Sequence, residues 1–575
     1  MNLFSEFSHR APNKIAVSIV LGGLSGLLYS LLIPLVLSVI EAPNDDLQTV
    51  ADAPAQLLSL EVSNAPLAMV FALTCLFVLV TRTLSQVMLT RVAIDVATGL
   101  RTRLYDRIAN APLAALERIG SARLIAALTS DVPRIVQGTR TLPDVLINIV
   151  MLVGMLGFLL VLNSDVFWYV LGCIAFGVVT FQVPMLLGRR YFVRARARFD
   201  DLQGSIQGLI RGIKELKLND RKREAFFESV LMRHERAVRR NEKAGHTIIQ
   251  TANNYGDLLS FFVIGSIIFI VVNYKSISNE ELVGVIMALL YITGPISALL
   301  HVMPMISVSR VSLQRVKKLF SEIPDEDVAP SDGLPPDWQS VRFQRVCYHH
   351  DGGGKEPGFG VGPLDFEIRK GEITFIVGGN GSGKSTMSKL LTLHYHAKSG
   401  DIMFGDTRVD SATIGGCRQS ISAIYSDYHL FDQLLGLEDD DLQSQVEHYL
   451  AALQLDGKVA YQDGKFSTLA LSDGQRRRMA LLSSVIDDKE LYLFDEWAAD
   501  QDPTFKSVFY NEILPSLRAR NKAVVAITHD DRYFDLADQL IVMEDGRITR
   551  IERRQQGQQA GATGPASSVD FLVPA

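Results

Sequence analysis

Residues 375–386 read FIVGGNGSGKST, an apolar run followed by glycines and then Lys-Ser-Thr. Gly378, Gly383, Lys384 and Ser385 stand at the fixed places of the G-x-x-x-x-G-K-S pattern. The apolar residues 373–377 predict a buried parallel strand, and 387–393 the first turns of a helix. Between them Gly378, Asn380, Gly381, Ser382 and Gly383 allow the backbone to curl so that its N–H groups converge on a phosphate chain. The positive end of the helix dipole adds to that field. Lys384 would reach the β- and γ-phosphates of ATP, with Thr386 behind it, and the Ser385 hydroxyl would ligate Mg²⁺. A Gly-rich turn with no ligand is the plainer reading of the motif taken alone.

Companions downstream decide against that plainer reading. Residues 491–496, LYLFDE, form an apolar strand ending in two carboxylates. Asp495 is placed to hold Mg²⁺ and Glu496 to polarise the attacking water. A strand-end acid capping a helix would account for one carboxylate but not for two. After a further apolar strand at 523–527 comes Thr528-His529-Asp530, where His529 would reach the γ-phosphate. Ser472-Asp473-Gly474-Gln475 opens a helix that continues through Arg476, Arg477 and Arg478. Its start is a second anion site, through Ser472 and the helix N–H groups, as well as an ordinary Ser cap. One chain already carries a full phosphate cradle, so this second site would serve nucleotide held by a second copy of the chain.

The 575 residues are 48% hydrophobic and only 21% charged, apolar for a soluble ATPase, with a net charge of −6. So small a charge gives no reason to expect nucleic acid as a partner. The four cysteines, Cys75, Cys173, Cys347 and Cys417, follow neither metal-site nor disulfide spacing.

Apolar runs at 15–40, 66–89, 143–162, 166–187, 258–272 and 282–305 predict six membrane-spanning helices, most with the ~20 residues a hydrocarbon core requires. Loop charge orients them. The connection at 41–65 holds Glu41, Asp45, Asp46, Asp52 and Glu61 but no Lys or Arg, whereas 91–142 and 188–255 are rich in both. Positive-inside then places both termini and the two long loops in the cytoplasm. Those loops predict helices that continue past the membrane and meet at short lateral segments near 114–120 and 218–226. Gly22, Gly26 and Ser30 are spaced for close helix packing, and Arg82, Asn148, Gln182, Asp257 and His301 are candidate cavity residues. Thr293-Gly294-Pro295 predicts a kink in the sixth helix. The expected organisation is a transmembrane domain over 1–323, a linker over 324–338, an α/β ATPase domain over 339–552 and a disordered tail over 553–575.

With these motifs in order the chain resembles an ATP-binding-cassette exporter of the six-span half-transporter kind. The resemblance implies a type I exporter (type IV fold) in the bacterial inner membrane, working as a homodimer that alternates access as two cassettes close on ATP and Mg²⁺. The finer resemblance is to exporters of cyclic peptides and peptide siderophores, such as the pyoverdine, syringomycin and microcin-type exporters. It rests on the phosphate loop Gly378–Ser385, on DEWAADQDP from Asp495 to Pro503, and on His529-Asp530-Asp531 followed by Tyr533-Phe534. Trp497 stands where most cassettes have Pro, and Asp502 aligns with the loop Asp after the paired acids. By the same resemblance Ser472, Gly474 and Gln475 contact nucleotide, and Ser426, or Asp427 beside it, occupies the place of a magnesium-binding glutamine. His350 stands at the adenine-stacking place, with Tyr348 two residues earlier. Asp473 replaces the usual signature Gly. A peptide-like cargo and surrounding lipid are the expected partners. A lipid flippase or multidrug exporter is the alternative, and a soluble ATPase or a receptor-like regulator fits the six spans and the intact Asp495, Glu496 and His529 less well.

Overall fold

The computed structural model describes residues 12–40, 55–57, 60–62, 65–275, 277–326, 328, 337–350, 358–437 and 441–554. Glu41, Asp45, Asp46 and Asp52, most of the expected linker, and the expected tail beyond Arg554 lie outside the described residues. The chain divides into two compact units, one of 1–106 with 122–321, the other of 107–121 with 322–575. The short segment 107–121 therefore belongs with the second unit, and the division does not follow a single cut in the chain.

The first unit is helical. Among the described residues six helices are long and apolar enough to cross a membrane: Pro12–Ser38, Pro66–Ala109, Ser121–Leu162, Ser164–Arg211, Asp220–Asn273 and Glu281–Glu322. All but the first far exceed the ~20 residues of a bilayer crossing, because their polar halves carry the helix onward. In their apolar windows at most 33% of residues are buried; side chains such as Val161, Phe176, Phe262 and Phe269 are exposed. That pattern is costly in water and neutral in lipid. The fifth apolar run ends as a 3₁₀ turn, Val271–Asn273. The helix Asn279–Glu322 continues through Pro295 and Pro304.

Small residues bring these helices together. The buried Ser18 and Ser85 exchange hydrogen bonds, each hydroxyl donating to the other's carbonyl at 2.8 Å. At Gly26 a Cβ would stand 2.8 Å from the Ile147 carbonyl oxygen, and at Gly154 one would stand 2.4 Å from Ser30 Oγ. The Gly22, Gly26 and Ser30 row is thus a packing stripe against its neighbours. One buried cluster joins Ile15, Leu89, Val96, Ile135 and Val316, and another joins Ile33, Met155, Val170, Ile267 and Ala288. Where a short lateral segment was expected near 218–226 stand two short helices, Ile213–Lys217 and Asp220–Phe226, the second capped by Asn219.

The second unit is α/β. Its main sheet runs Arg547–Arg553, Gln539–Glu544, Ile373–Gly378, Ala523–Ile527, Leu491–Asp495, Ile421–Ile424, parallel except at the first pair. The central strands are buried on both faces, as their unbroken apolar runs require. A four-stranded antiparallel sheet contains Ser340–His349 and Gly360–Arg369. The helix Leu113–Ile119 lies where a lateral segment was expected, with Leu113 and Ala114 packed on the core of this unit. Glu117 on it accepts hydrogen bonds from Lys389 Nζ at 2.6 Å and Tyr395 Oη at 2.5 Å. The helix after the glycine-rich loop spans Lys384–Leu391, three residues earlier than the sequence pattern placed it. Its first turn must begin at the loop itself if its free N–H groups are to face the phosphates.

Candidate nucleotide site and its relatives

Parallel register puts the chemistry at one sheet edge. Asp495 is level with Ile527, and Ile527 with Ile376. The loops leaving these three strands, carrying the glycine-rich loop, Glu496 and His529, therefore open at the same carboxyl end, where ligands of open α/β sheets bind.

The glycine-rich loop is shaped as a cradle. Gly383 caps the helix at φ +98°, and Gly378 approaches the neighbouring strand so closely that a Cβ would fall 2.3 Å from Met543 O. Either position would be strained with a side chain. Lys384 is buried and its Nζ donates to the carbonyls of Gly378 and Gly379 at 2.9 Å each, which keeps the loop curled. Ser382 Oγ is buried without a hydrogen-bond partner. An orphaned buried hydroxyl on a glycine-rich loop is what a phosphate oxygen would satisfy. Asn380, Gly381 and Ser385 are exposed, and Thr386 is buried with Oγ1 3.2 Å from His350 Nε2.

The acidic wall follows. Asp495 is 4% exposed, and its carboxyl is raised to about 6, first by burial and then by the negative charges of Glu496 and Asp427. Asp427 thus bears electrostatically on Asp495, and both it and its neighbour Ser426 are exposed. Glu496 takes a left-handed backbone, φ +52°, rare for a residue with a side chain. Its N–H donates to Ile527 O at 3.1 Å, and its Oε1 lies 3.2 Å from His529 Nε2.

What holds Glu496 in that conformation was not legible in the motifs. Arg477, buried in the helix Asp473–Ile486, donates through Nη1 to the carbonyls of Glu496 and Trp497 and through Nη2 to Asp500. Trp497 returns the contact, its Nε1 donating to Arg477 O at 2.9 Å, with its ring stacked 4.4 Å from Phe509. The sequence singled out Arg477 only as one of three basic residues; the unusual Trp497 was the available signal.

The second anion site divides its residues. Ser472 and Gln475 form a reciprocal capping box, Ser472 Oγ accepting from Gln475 N and Gln475 Oε1 from Ser472 N. Gln475 is therefore engaged within its own helix, whereas the Ser472 side chain is exposed. Gly474 packs on the loop after Glu496, accepting from Gln501 Nε2 at 3.0 Å. Asp502 caps the helix Pro503–Val508 and pairs with Arg478 at 2.7 Å, which together lower its carboxyl below the usual range. Tyr348 is buried with its ring parallel to Tyr395 at 4.6 Å. His350 meets Tyr348 and Tyr395 edge-on and is less buried than Tyr348.

With this geometry in place the comparisons are specific. The ABC transporter family matches residues 361–499, and the ABC transporter transmembrane region matches 15–296. The chain is similar to ATP-binding protein SyrD of Pseudomonas syringae pv. syringae, 32% identical over 465 residues, covering 79% of this chain and 82% of that one. This chain belongs to the ABC exporters. It is also similar to an ATP-dependent lipid A-core flippase of Shewanella oneidensis, 23% identical over 492 residues, covering 79% of this chain and 77% of the flippase. In fold this exporter matches a bacterial Atm1-family ABC exporter solved with ATP bound, at TM-score 0.68 and 18% identity over 95% of this chain and 96% of that one. It binds ATP and couples its hydrolysis to transport through a six-helix membrane region.

Proposed function

We propose that two copies of this exporter assemble in the bacterial inner membrane, with both termini cytoplasmic, and carry a peptide-like cargo outward. The observation that carries the dimer is the exposed Ser472 at the start of the helix Asp473–Ile486, in a chain that already carries a phosphate cradle of its own. A second copy offers the γ-phosphate such an anion site needs. In the closed pair the backbone N–H groups from Gly378 to Ser385 and the Lys384 ammonium hold the phosphate chain, and His350 supports the base. Ser385 and Asp495 suit Mg²⁺, which takes hard oxygen ligands and keeps waters and substrate oxygens rather than an all-protein cage. When bound, it neutralises charge on the phosphates. Glu496 orients and polarises the attacking water, and His529 fixes the Glu496 carboxylate and faces the γ-phosphate. Ser426 is the weaker candidate for a magnesium ligand, and Asp427 the better one, since its charge already acts on Asp495.

The motif phrases from Asp495 to Pro503 and from His529 to Phe534, which resemble those of peptide and peptide-siderophore exporters, support the cargo class. A lipid cargo is the second reading, favoured by the likeness to lipid A-core flippases. The test is ATPase stimulation of the purified protein in proteoliposomes across cyclic peptides, siderophores, lipid A and cationic drugs. Stimulation by peptides is expected, and a response to lipid alone would replace the peptide reading.

A further inference from the structure

One helix of the second unit touches both loops of the hydrolytic pair. Pro503–Val508 begins at its Asp502 cap and widens into a π-helical turn, Phe509–Ile513, in which Leu514 N–H reaches Phe509 O. Pro515 follows, and without an N–H it cannot donate to Asn511 O as a regular α-helix requires. The π turn carries two adjacent buried aromatics, Phe509 and Tyr510, that pack on different loops. Phe509 stacks on Trp497, next to Glu496, at 4.4 Å. The Tyr510 ring lies parallel to Tyr533 at 4.1 Å and meets Phe375, on the strand entering the phosphate loop, edge-on at 5.9 Å.

Tyr510 also brings a polar atom into this apolar packing. Its Oη lies 2.6 Å from Thr528 Oγ1, and both residues are buried. Burial pushes the phenol up to about 12, so the group stays a hydroxyl. Thr528 Oγ1 in turn accepts from Asp530 N at 3.0 Å, closing a side-chain turn across His529. Lys506, four residues before Tyr510 on the same helix, reaches Asp530 Oδ2 at 3.3 Å. His529 itself is exposed, with a buried Thr528 on one side and a half-buried Asp530 on the other. Phenylalanine would fill the same space and make the same ring contacts. A buried hydroxyl costs free energy unless it is hydrogen-bonded, so satisfying Oη alone gains nothing over a ring without one.

We infer that Tyr510 is a positioning residue for ATP hydrolysis: through Thr528 its hydroxyl fixes the turn that aims His529 at Glu496. The inference rests on the hydrolytic roles of Glu496 and His529 proposed above, and adds the group that holds their 3.2 Å contact in place. Thr528 Oγ1 cannot rotate to another staggered position while it meets both Oη and Asp530 N. Without Oη that restraint is lost, the turn loosens, and His529 samples positions off the Glu496 carboxylate. ATP binding is made elsewhere, by the glycine-rich loop and Lys384, so the effect falls on turnover and not on affinity.

The experiment is steady-state ATPase of the full-length protein in nanodiscs. Tyr510→Phe keeps both ring contacts and loses only Oη. It should lower kcat by about fivefold to tenfold, the scale of one hydrogen bond, with the KM for ATP within about twofold. Thr528→Val should cause a loss of similar size, and the double variant no more than the larger single loss. Thr528→Ser, which keeps the oxygen, should recover most of what Thr528→Val loses. In a His529→Ala background, Tyr510→Phe should alter the residual turnover by less than about twofold. An unchanged kcat in Tyr510→Phe, single losses that multiply, Thr528→Ser as impaired as Thr528→Val, or an equal effect of Tyr510→Phe with and without His529 would overturn the inference while leaving the roles of Glu496 and His529 standing. Full turnover in His529→Ala alone would overturn the role of His529 and the inference with it.

Discussion

Nε2 of His529 lies 3.2 Å from Oε1 of Glu496, joining the ends of two parallel strands across the sheet edge that carries the phosphate loop. Glu496→Gln keeps the shape and a hydrogen bond to His529 but removes the negative charge that polarises water. ATP turnover should fall by about 10²–10³-fold with nucleotide binding retained. Phosphate release and nucleotide trapping measure the two separately, and unchanged turnover would take Glu496 out of its role. His529→Ala should also lower turnover, without the trapped nucleotide.

Arg477 positions Glu496 rather than touching substrate, since its guanidinium spans the carbonyls of Glu496 and Trp497 and the Asp500 carboxylate. Lys cannot reproduce that fork. Arg477→Lys is expected to lower kcat by up to about 10²-fold, the scale of misplacing a catalytic group by ~1 Å, while the KM for ATP stays within about twofold. A rise in KM with kcat intact would assign Arg477 to binding instead.

Glu326 carries a pH signature. Its carboxylate receives Arg418 through both terminal nitrogens, at 2.8 and 2.6 Å, and His396 at 2.8 Å. The Arg418 hydrogen bonds, chiefly, lower its pKa to about 2 from 4.5, against the opposing effect of burial. The folded state thus holds the anion more tightly than the unfolded one. The stabilisation is complete above pH 4.5 and is lost as pH falls through about 2. Thermal unfolding of wild type and Glu326→Gln should differ by the equivalent of about 2 kcal/mol at neutral pH after allowing for solvent screening. The gap should narrow steadily below pH 4.5, and a gap independent of pH would refute the assignment.

Helix packing in the membrane unit gives a third kind of test. Gly26→Ala would bring a Cβ within 2.8 Å of the Ile147 carbonyl, a backbone atom that cannot rotate away. A cost of about 1–3 kcal/mol is expected, read as a lower melting temperature in detergent. Gly23→Ala on the same helix, where nothing lies within 4 Å, is the control and should be neutral.

Much of this exporter was legible because its signals are local. Six apolar runs of membrane length need no neighbours to be recognised, since the bilayer sets the length. The phosphate loop from Gly378 to Ser385 is a contiguous curl whose glycines and helix start specify it, and Asp495 and Glu496 follow from a strand ending in acids. Roles that depend on what folds against a residue could not be read this way. Sequence could not decide that Tyr348 lies buried against Tyr395 while His350 is left nearer the surface, that Gln475 closes on its own helix cap, or that Arg477 grips the loop of Glu496 twenty residues away. Nor could it bring Tyr510 against Thr528 or place Asp257 and His301 on one cavity wall, because each pair comes from two elements whose relative placement is set by side-chain packing. Periodicity and motif spacing fix which elements form. Which side chains meet is decided by the packing of those elements, and in this chain that meeting sets the electrostatics of the nucleotide site.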